Sequence, residues 1–223
     1  REEMESAGVT PEDIDGMEDI DKLPVIKADD IRENQPPTTD SYRFATDTDT
    51  VRRPFTTSGS TGDPKVFFKS YDEMDRIYDD LRRGFEEVGA DEDSVFVNYL
   101  PFVGLNPSSF YSEGGMEEIG LETVPISNTD YPPEYEFNFL QSYLQDHDGT
   151  TIMNGLASHM DAKGRNFQEA GFDPADLDID IVTLSGEPVS DSRKESIAEV
   201  YDAEVLEFLG STENGGIAYE LTD

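Results

Sequence analysis

Cysteine and tryptophan are absent from the 223 residues, and histidine occurs only twice. Without cysteine there is no disulfide framework and no thiolate metal site, and the redox compartment leaves no mark on the sequence. Positive charge is scarce as well: 16 Lys+Arg stand against 51 Asp+Glu, a formal net charge of −35. A field that negative opposes sequence-independent binding to nucleic acid or to anionic lipid. No window approaches the roughly 18 apolar residues of a membrane helix. Arg1-Glu2-Glu3 has no apolar run behind it, which is not the pattern of a secretory signal.

What remains is enough to fold. Hydrophobic residues make up 35% of the chain and recur in spaced runs, so the acidity does not mean disorder. The length predicts one domain or most of one. The carboxylates are spread along the whole chain, and arginine is commoner than lysine. Such a surface suits molar salt, where the Debye length shrinks to about 3 Å and self-repulsion is suppressed. We therefore expect a cytoplasmic protein of a halophile, the alternative being an ordinary acidic protein. The chain lacks an initiator Met, and Gly216 to Asp223 reads as a strand leaving a turn. Both features predict a piece of a longer protein.

Residues 1–52 are polar, with one short apolar run at Leu23-Pro24-Val25-Ile26. They read as lead-in helices and turns of the same domain, ahead of an α/β region over 53–223. Arg53–Thr57 and Lys65–Lys69 read as short strands flanking a Gly/Ser/Thr loop. Ser70 and Glu73 have capping-box spacing and open a helix carrying Met74, Ile77, Leu81, Phe85 and Val88. Strands are expected at Val95–Leu100, Glu122–Ile126, Thr151–Asn154, Ile179–Leu184 and Val205–Leu209. Helices are expected between them at Ser108–Ile119, Pro133–Gln145, Ser158–Ala170 and Asp191–Val200. Alternation of this kind predicts right-handed crossovers and a parallel sheet with helices on both faces.

Three loops concentrate chemistry. The first is Thr56-Thr57-Ser58-Gly59-Ser60-Thr61-Gly62-Asp63-Pro64-Lys65. Its glycines let the backbone approach a ligand, its hydroxyls add donors and Lys65 adds charge, which together make a nest for a polyphosphate. A Walker loop needs G-x-x-x-x-G-K-[ST] between strand and helix, and this spacing is different. An ordinary Gly/Ser hairpin turn is the bland alternative. The second loop, Ser185-Gly186-Glu187-Pro188, and the third, Leu209-Gly210-Ser211-Thr212-Glu213, each follow a predicted strand. Both fall where parallel strands end, the usual ligand crevice of open α/β sheets. Glu213 behind its turn suits Mg²⁺, a hard cation that takes carboxylate and phosphate oxygens.

Together these strings resemble the signatures of adenylate-forming enzymes, the acyl-CoA synthetase superfamily. Thr57 to Lys65 resembles the phosphate loop, Gly186-Glu187-Pro188 the adenine-contacting segment, and Gly210-Ser211-Thr212-Glu213 the Mg-binding segment. Leu23 to Asp30, Gly186 to Ser190 and the Arg193 helix make the chain most similar to the phenylacetate–CoA ligase branch. The resemblance implies part of the large N-terminal domain of such an enzyme, with ATP, Mg²⁺ and coenzyme A as cofactors and co-substrates. A carboxylic acid would first become an acyl-adenylate and then a thioester. By the same resemblance Thr57, Ser58, Gly59, Ser60, Thr61, Gly62 and Lys65 would hold the β- and γ-phosphates. Gly186, Glu187 and Pro188 would line the adenine slot together with Leu209, Gly210 and Ser211. Thr212 would face the α-phosphate and Glu213 would hold the metal, making Lys65, Thr212 and Glu213 the catalytic set. Partners would be a small carboxylic acid and a second copy in a homodimer, with neither nucleic acid nor membrane.

One departure stands out. Where the superfamily stacks an aromatic ring on adenine this chain has Leu209, and Phe208 should point to the other face of its strand. The resemblance also implies a mobile C-terminal domain that completes adenylation and is expected outside this piece, which should then bind nucleotide better than it turns over. Two alternatives stay open: an adenylating enzyme with another acceptor (an acyl-protein synthetase or a deazaflavin-coenzyme synthetase), or a nucleotide-binding protein without ligase activity. His147 reads as a solvated helix end and His159 as the start of a helix near the crevice.

Overall fold

A computed structural model describes residues 2–39, 52–57, 59, 62–127 and 130–221. The chain divides into two compact units. The first comprises residues 1–48 and 59–66, and the second residues 49–58 and 67–223.

The first unit holds two short helices, α1 (Glu2–Ser6) and α2 (Ala28–Glu33), with 3-10 segments at Pro11–Asp13 and Met17–Lys22 between them. Its second chain segment is tied to its first by polar bonds to main chain. Arg32 Nε donates to the carbonyl of Asp63 at 2.8 Å, and Gln35 Nε2 donates to that of Pro64 at 2.9 Å. The Val66 amide returns a bond to Gln35 Oε1 at 2.6 Å.

The second unit opens with a two-stranded sheet of β1 (Arg52–Thr56) and β2 (Val66–Ser70), the first residue of β2 counting with the other unit. Ser70 then caps α3 (Tyr71–Glu87) as its spacing predicts: its hydroxyl accepts from the Glu73 amide, and Glu73 accepts from the Ser70 amide. The main sheet comprises β3 (Val95–Asn98), β4 (Glu122–Pro125), β5 (Thr151–Gly155), β6 (Ile181–Ser185), β7 (Glu204–Ser211) and β8 (Gly215–Tyr219). Its order is β4-β3-β5-β6-β7-β8, and every pairing but the last is parallel.

Side-chain alternation along these strands builds two cores. Phe96, Ile152, Ile181 and Leu206 pack with Phe85 of α3 and Met116 of α4 (Ser108–Ile119). Val95, Val97, Met153, Val182 and Val205 pack on the other face. There they meet Phe137 of α5 (Pro133–Leu144), Phe167 of α6 (Ala157–Glu169) and Ile197 of α7 (Asp191–Tyr201). Coverage of both faces explains why β3 is buried along its whole length. The expected α/β architecture stands.

Two details correct the sequence analysis. The sheet is not wholly parallel, because β8 returns antiparallel to β7 as an edge hairpin. Strand β7 also runs on to Ser211 instead of stopping at Leu209, with a register shift between Leu209 and Gly210. The cause is local. A Cβ on Gly210 would lie 2.9 Å from the Gly215 carbonyl oxygen, so glycine there lets the hairpin close tightly and carries the ladder two residues further.

Candidate active site

From β3 the chain crosses to β4 on one side, while β5 lies on the other, so a topological switch point falls between β3 and β5. A cleft of about 470 Å³ within the second unit opens at these strand ends. It is lined by Thr56 and Thr57 after β1, Leu100 and Pro101 after β3, and Asn154 and Leu156 at β5. Ser185 and Gly186 after β6 and the stretch Phe208 to Glu213 complete that wall, while Tyr111 and Ser112 of α4 face it.

Of the residues singled out from sequence, Thr57, Gly186, Leu209, Gly210, Ser211, Thr212 and Glu213 therefore share one cleft. Glu187 does something else: its carboxylate accepts from the Ser158 amide and, at 3.1 Å, from the Ser158 hydroxyl, so it closes the start of α6. Pro188 is exposed beside it. Gly59, Gly62 and Lys65 belong to the first unit. There Gly59 and Gly62 take φ of +71° and +143°, and the Gly62 amide donates to the Gly59 carbonyl at 3.2 Å. These are backbone conformations that glycine adopts at no steric cost. Ser58, Ser60 and Thr61 lie outside the described residues.

Phe208 and Leu209 part as the pleat requires. The Phe208 ring stacks on Phe85 at 4.6 Å and on Tyr219 at 5.6 Å, held between α3 and β8. Leu209 is 60% exposed. His147 sits 3.5 Å from Glu122 at the end of α5, and His159 on α6 does not line the cleft. Among the described residues no group of three or more His, Cys, Asp or Glu could cage a metal.

Several contributors escape sequence reasoning. Asn98, Asn154 and Thr183 are register partners on β3, β5 and β6, all buried. The Thr183 hydroxyl donates to Asn154 Oδ1 at 2.9 Å, and Asn154 Nδ2 donates to Asn98 Oδ1 at 3.2 Å. Asn98 Nδ2 then donates to Glu113 of α4 at 2.7 Å, and Asn98 Oδ1 also accepts from the Leu100 amide at 3.0 Å. This polar row fixes the cleft floor at Asn154 and the exit of β3 at Leu100. Its only sequence signal is a polar residue near the end of each of three apolar strands.

The Thr212–Glu213 turn is gripped from outside. Tyr111 Oη donates to the Thr212 carbonyl at 3.1 Å, and Lys69 Nζ donates to the Glu213 carbonyl. Burial pushes the Tyr111 phenol above the ordinary tyrosine range, with Tyr78, Glu73 and Glu213 adding to the shift, so it remains a donor.

This geometry has known counterparts. Four crystal structures of 2-hydroxyisobutyryl-CoA ligase match the chain; the open form with 2-HIB-AMP and CoA aligns over 95% of this chain and 45% of its own, at 22% identity and a TM-score of 0.79. The chain shares the fold of this part of that ligase. A long-chain-fatty-acid-CoA ligase from Archaeoglobus fulgidus matches more distantly, with a TM-score of 0.58 over 75% of this chain and 33% of its own, at 15% identity. In sequence the chain is similar to the phenylacetate-coenzyme A ligase of Thermus thermophilus, at 24% identity over 88% of this chain and 41% of that one. It is similar to the ligase of the same name from Pseudomonas putida, at 25% identity over 99% of this chain and 48% of the other. The chain thus spans about half the length of the curated relatives it matches. No family profile matches it.

Proposed function

We propose that this chain is the nucleotide-binding part of an acid–thiol ligase that activates a carboxylic acid with ATP and passes the acyl group to coenzyme A. The observation that carries this is the convergence of Thr57, Gly186 and the Leu209–Glu213 stretch on one cleft at the strand ends. Similarity to phenylacetate-coenzyme A ligases supports the same reaction and favours an aryl or small organic acid.

A carboxylate is a poor acyl donor because its leaving group would be oxide. In the proposed reaction its oxygen attacks the α-phosphorus of ATP, the bond to the bridging oxygen breaks and pyrophosphate leaves. A thiolate then attacks the acyl carbon and AMP departs with the electron pair. The protein's task in the first step is to position and neutralise phosphoryl oxygens. Thr57, with Ser58, Gly59, Ser60, Thr61, Gly62 and Lys65, would hold the β- and γ-phosphates. Gly186, Leu209, Gly210 and Ser211 would border the adenosine, Glu187 and Pro188 would shape that slot from behind, and Thr212 would face the α-phosphate.

Mg²⁺ fits this donor set. Among the described residues Glu213 is the half-buried carboxylate lining the cleft, and one protein carboxylate suits a cation that takes its remaining ligands from phosphates and water. When bound, the metal would neutralise phosphate charge. The remaining finer assignments are a cytoplasmic setting, molar salt for the acidic surface, and homodimeric assembly.

Glu213→Gln is the direct test. It should weaken binding of ATP by this chain about tenfold or more in excess magnesium and by less than about threefold in EDTA, measured by calorimetric titration; a charge-assisted contact is worth about that much. Equal weakening in both buffers contradicts the role given to Glu213.

A further inference from the structure

We infer that Lys69 and Tyr111 are positioning residues whose grip on the Thr212–Glu213 turn sets how strongly a divalent cation tightens nucleotide binding; this rests on the reading of the cleft as an ATP site. Thr212 and Glu213 lie in the turn that joins β7 and β8, the latter an edge strand. Within the turn the Ser211 hydroxyl accepts from the Asn214 amide at 3.1 Å. Two consecutive carbonyls of that turn are held from two other elements. Tyr111 Oη on α4 donates to the first, and Lys69 Nζ on β2 donates to the second.

Lys69 is the informative member. Its side chain is only 12% exposed, a degree of burial that lysine tolerates when its charge is answered. The carboxylate within reach, Glu73 Oε1, lies at 4.0 Å, while Glu73 Oε2 is engaged in capping α3 through Ser70. The short contact of the ammonium is instead with the main chain of Glu213. A desolvated cation bound to that carbonyl fixes the peptide carrying the proposed metal ligand. Loosening it by even about half an ångström spoils a site of this kind.

The test is ATP binding by this chain, with magnesium and with EDTA, for wild type, Lys69→Met, Lys69→Arg and Tyr111→Phe. Methionine keeps the stem and removes the donors. The factor by which magnesium tightens ATP should fall about tenfold in Lys69→Met, the scale of one lost charge-assisted hydrogen bond. Binding in EDTA should move less than about threefold, and Lys69→Arg should recover most of the factor. Tyr111→Phe removes one hydroxyl and should lower the factor by a smaller amount. It carries the test alone if Lys69→Met does not fold. A merely structural lysine would weaken binding equally in both buffers, and that result overturns the inference, as does an unchanged factor in the variants. Wild type that binds ATP equally in both buffers also overturns it while leaving the ATP site standing. Wild type that binds no ATP in either buffer sinks the ATP-site reading itself, and the inference with it.

Discussion

Glu136→Gln should lower the melting temperature by about 6–12 °C. Glu136, in the first turn of α5 on its buried side, is 1% exposed. Its two oxygens are both engaged: Tyr99 Oη donates to one at 2.7 Å and Lys163 Nζ to the other at 2.6 Å. The Lys163 ammonium also lies 5.6 Å from the centre of the Tyr99 ring. Burial, then the Glu136 charge, pushes the Tyr99 phenol well above its ordinary range, so it remains protonated and donating. Glutamine keeps the shape but removes the carboxylate charge to which the mostly buried Lys163 ammonium donates. Breaking one side of a buried pair costs about 3 kcal/mol or more, and for a chain of this size each kcal/mol is worth about 2–4 °C. Replacing Tyr99, Glu136 and Lys163 together by Phe, Leu and Met should recover most of the loss, because no charge is then stranded. A melting temperature within a degree of wild type for Glu136→Gln contradicts the assignment.

The second large effect is one of solvent. With 51 acidic residues against 16 basic ones, most carboxylates have no basic residue to offset them. Arg82 is already shared, pairing with both Asp79 and Glu86, at 2.6 and 2.5 Å. In molar KCl the screening length is about 3 Å, whereas at ~0.1 M it reaches about 10 Å, and surface carboxylates then repel across several neighbours. Diluting KCl over that range at neutral pH is expected to unfold the chain, followed by far-ultraviolet circular dichroism. A melting temperature that does not change on dilution removes the proposal of a salt-adapted protein.

The fold was legible where apolar runs were unambiguous. Val95 to Val97 and Ile181 to Leu184 could be little but buried strands between helices, and Ser70 with Glu73 marked a helix start. Strand β8 was read as a strand leaving a turn, but its antiparallel return to β7 was not, because that hairpin turns on a close approach of Gly210 and Gly215 and glycines carry no periodicity. In the site, short motifs marked Thr57, Gly186 and the Leu209–Glu213 stretch because their chemistry is local. Glu187 shows the limit of that method, since its motif position said nothing of its bonds to Ser158, 29 residues away. Lys69 and Tyr111 were invisible for the same reason. Their partners lie 144 and 101 residues further along the chain, and only the closed sheet brings them together.

The central claim is adenylation, and carboxylate-dependent exchange of pyrophosphate into ATP tests it most directly. The protein should be assayed in molar KCl with phenylacetate, benzoates, short and long fatty acids, and no acid. We expect exchange with one class of acid, absent without acid and abolished in Lys65→Ala. No exchange with any acid, from a protein that Mg·ATP still stabilises against heat, would contradict the account and leave a nucleotide-binding protein without ligase activity.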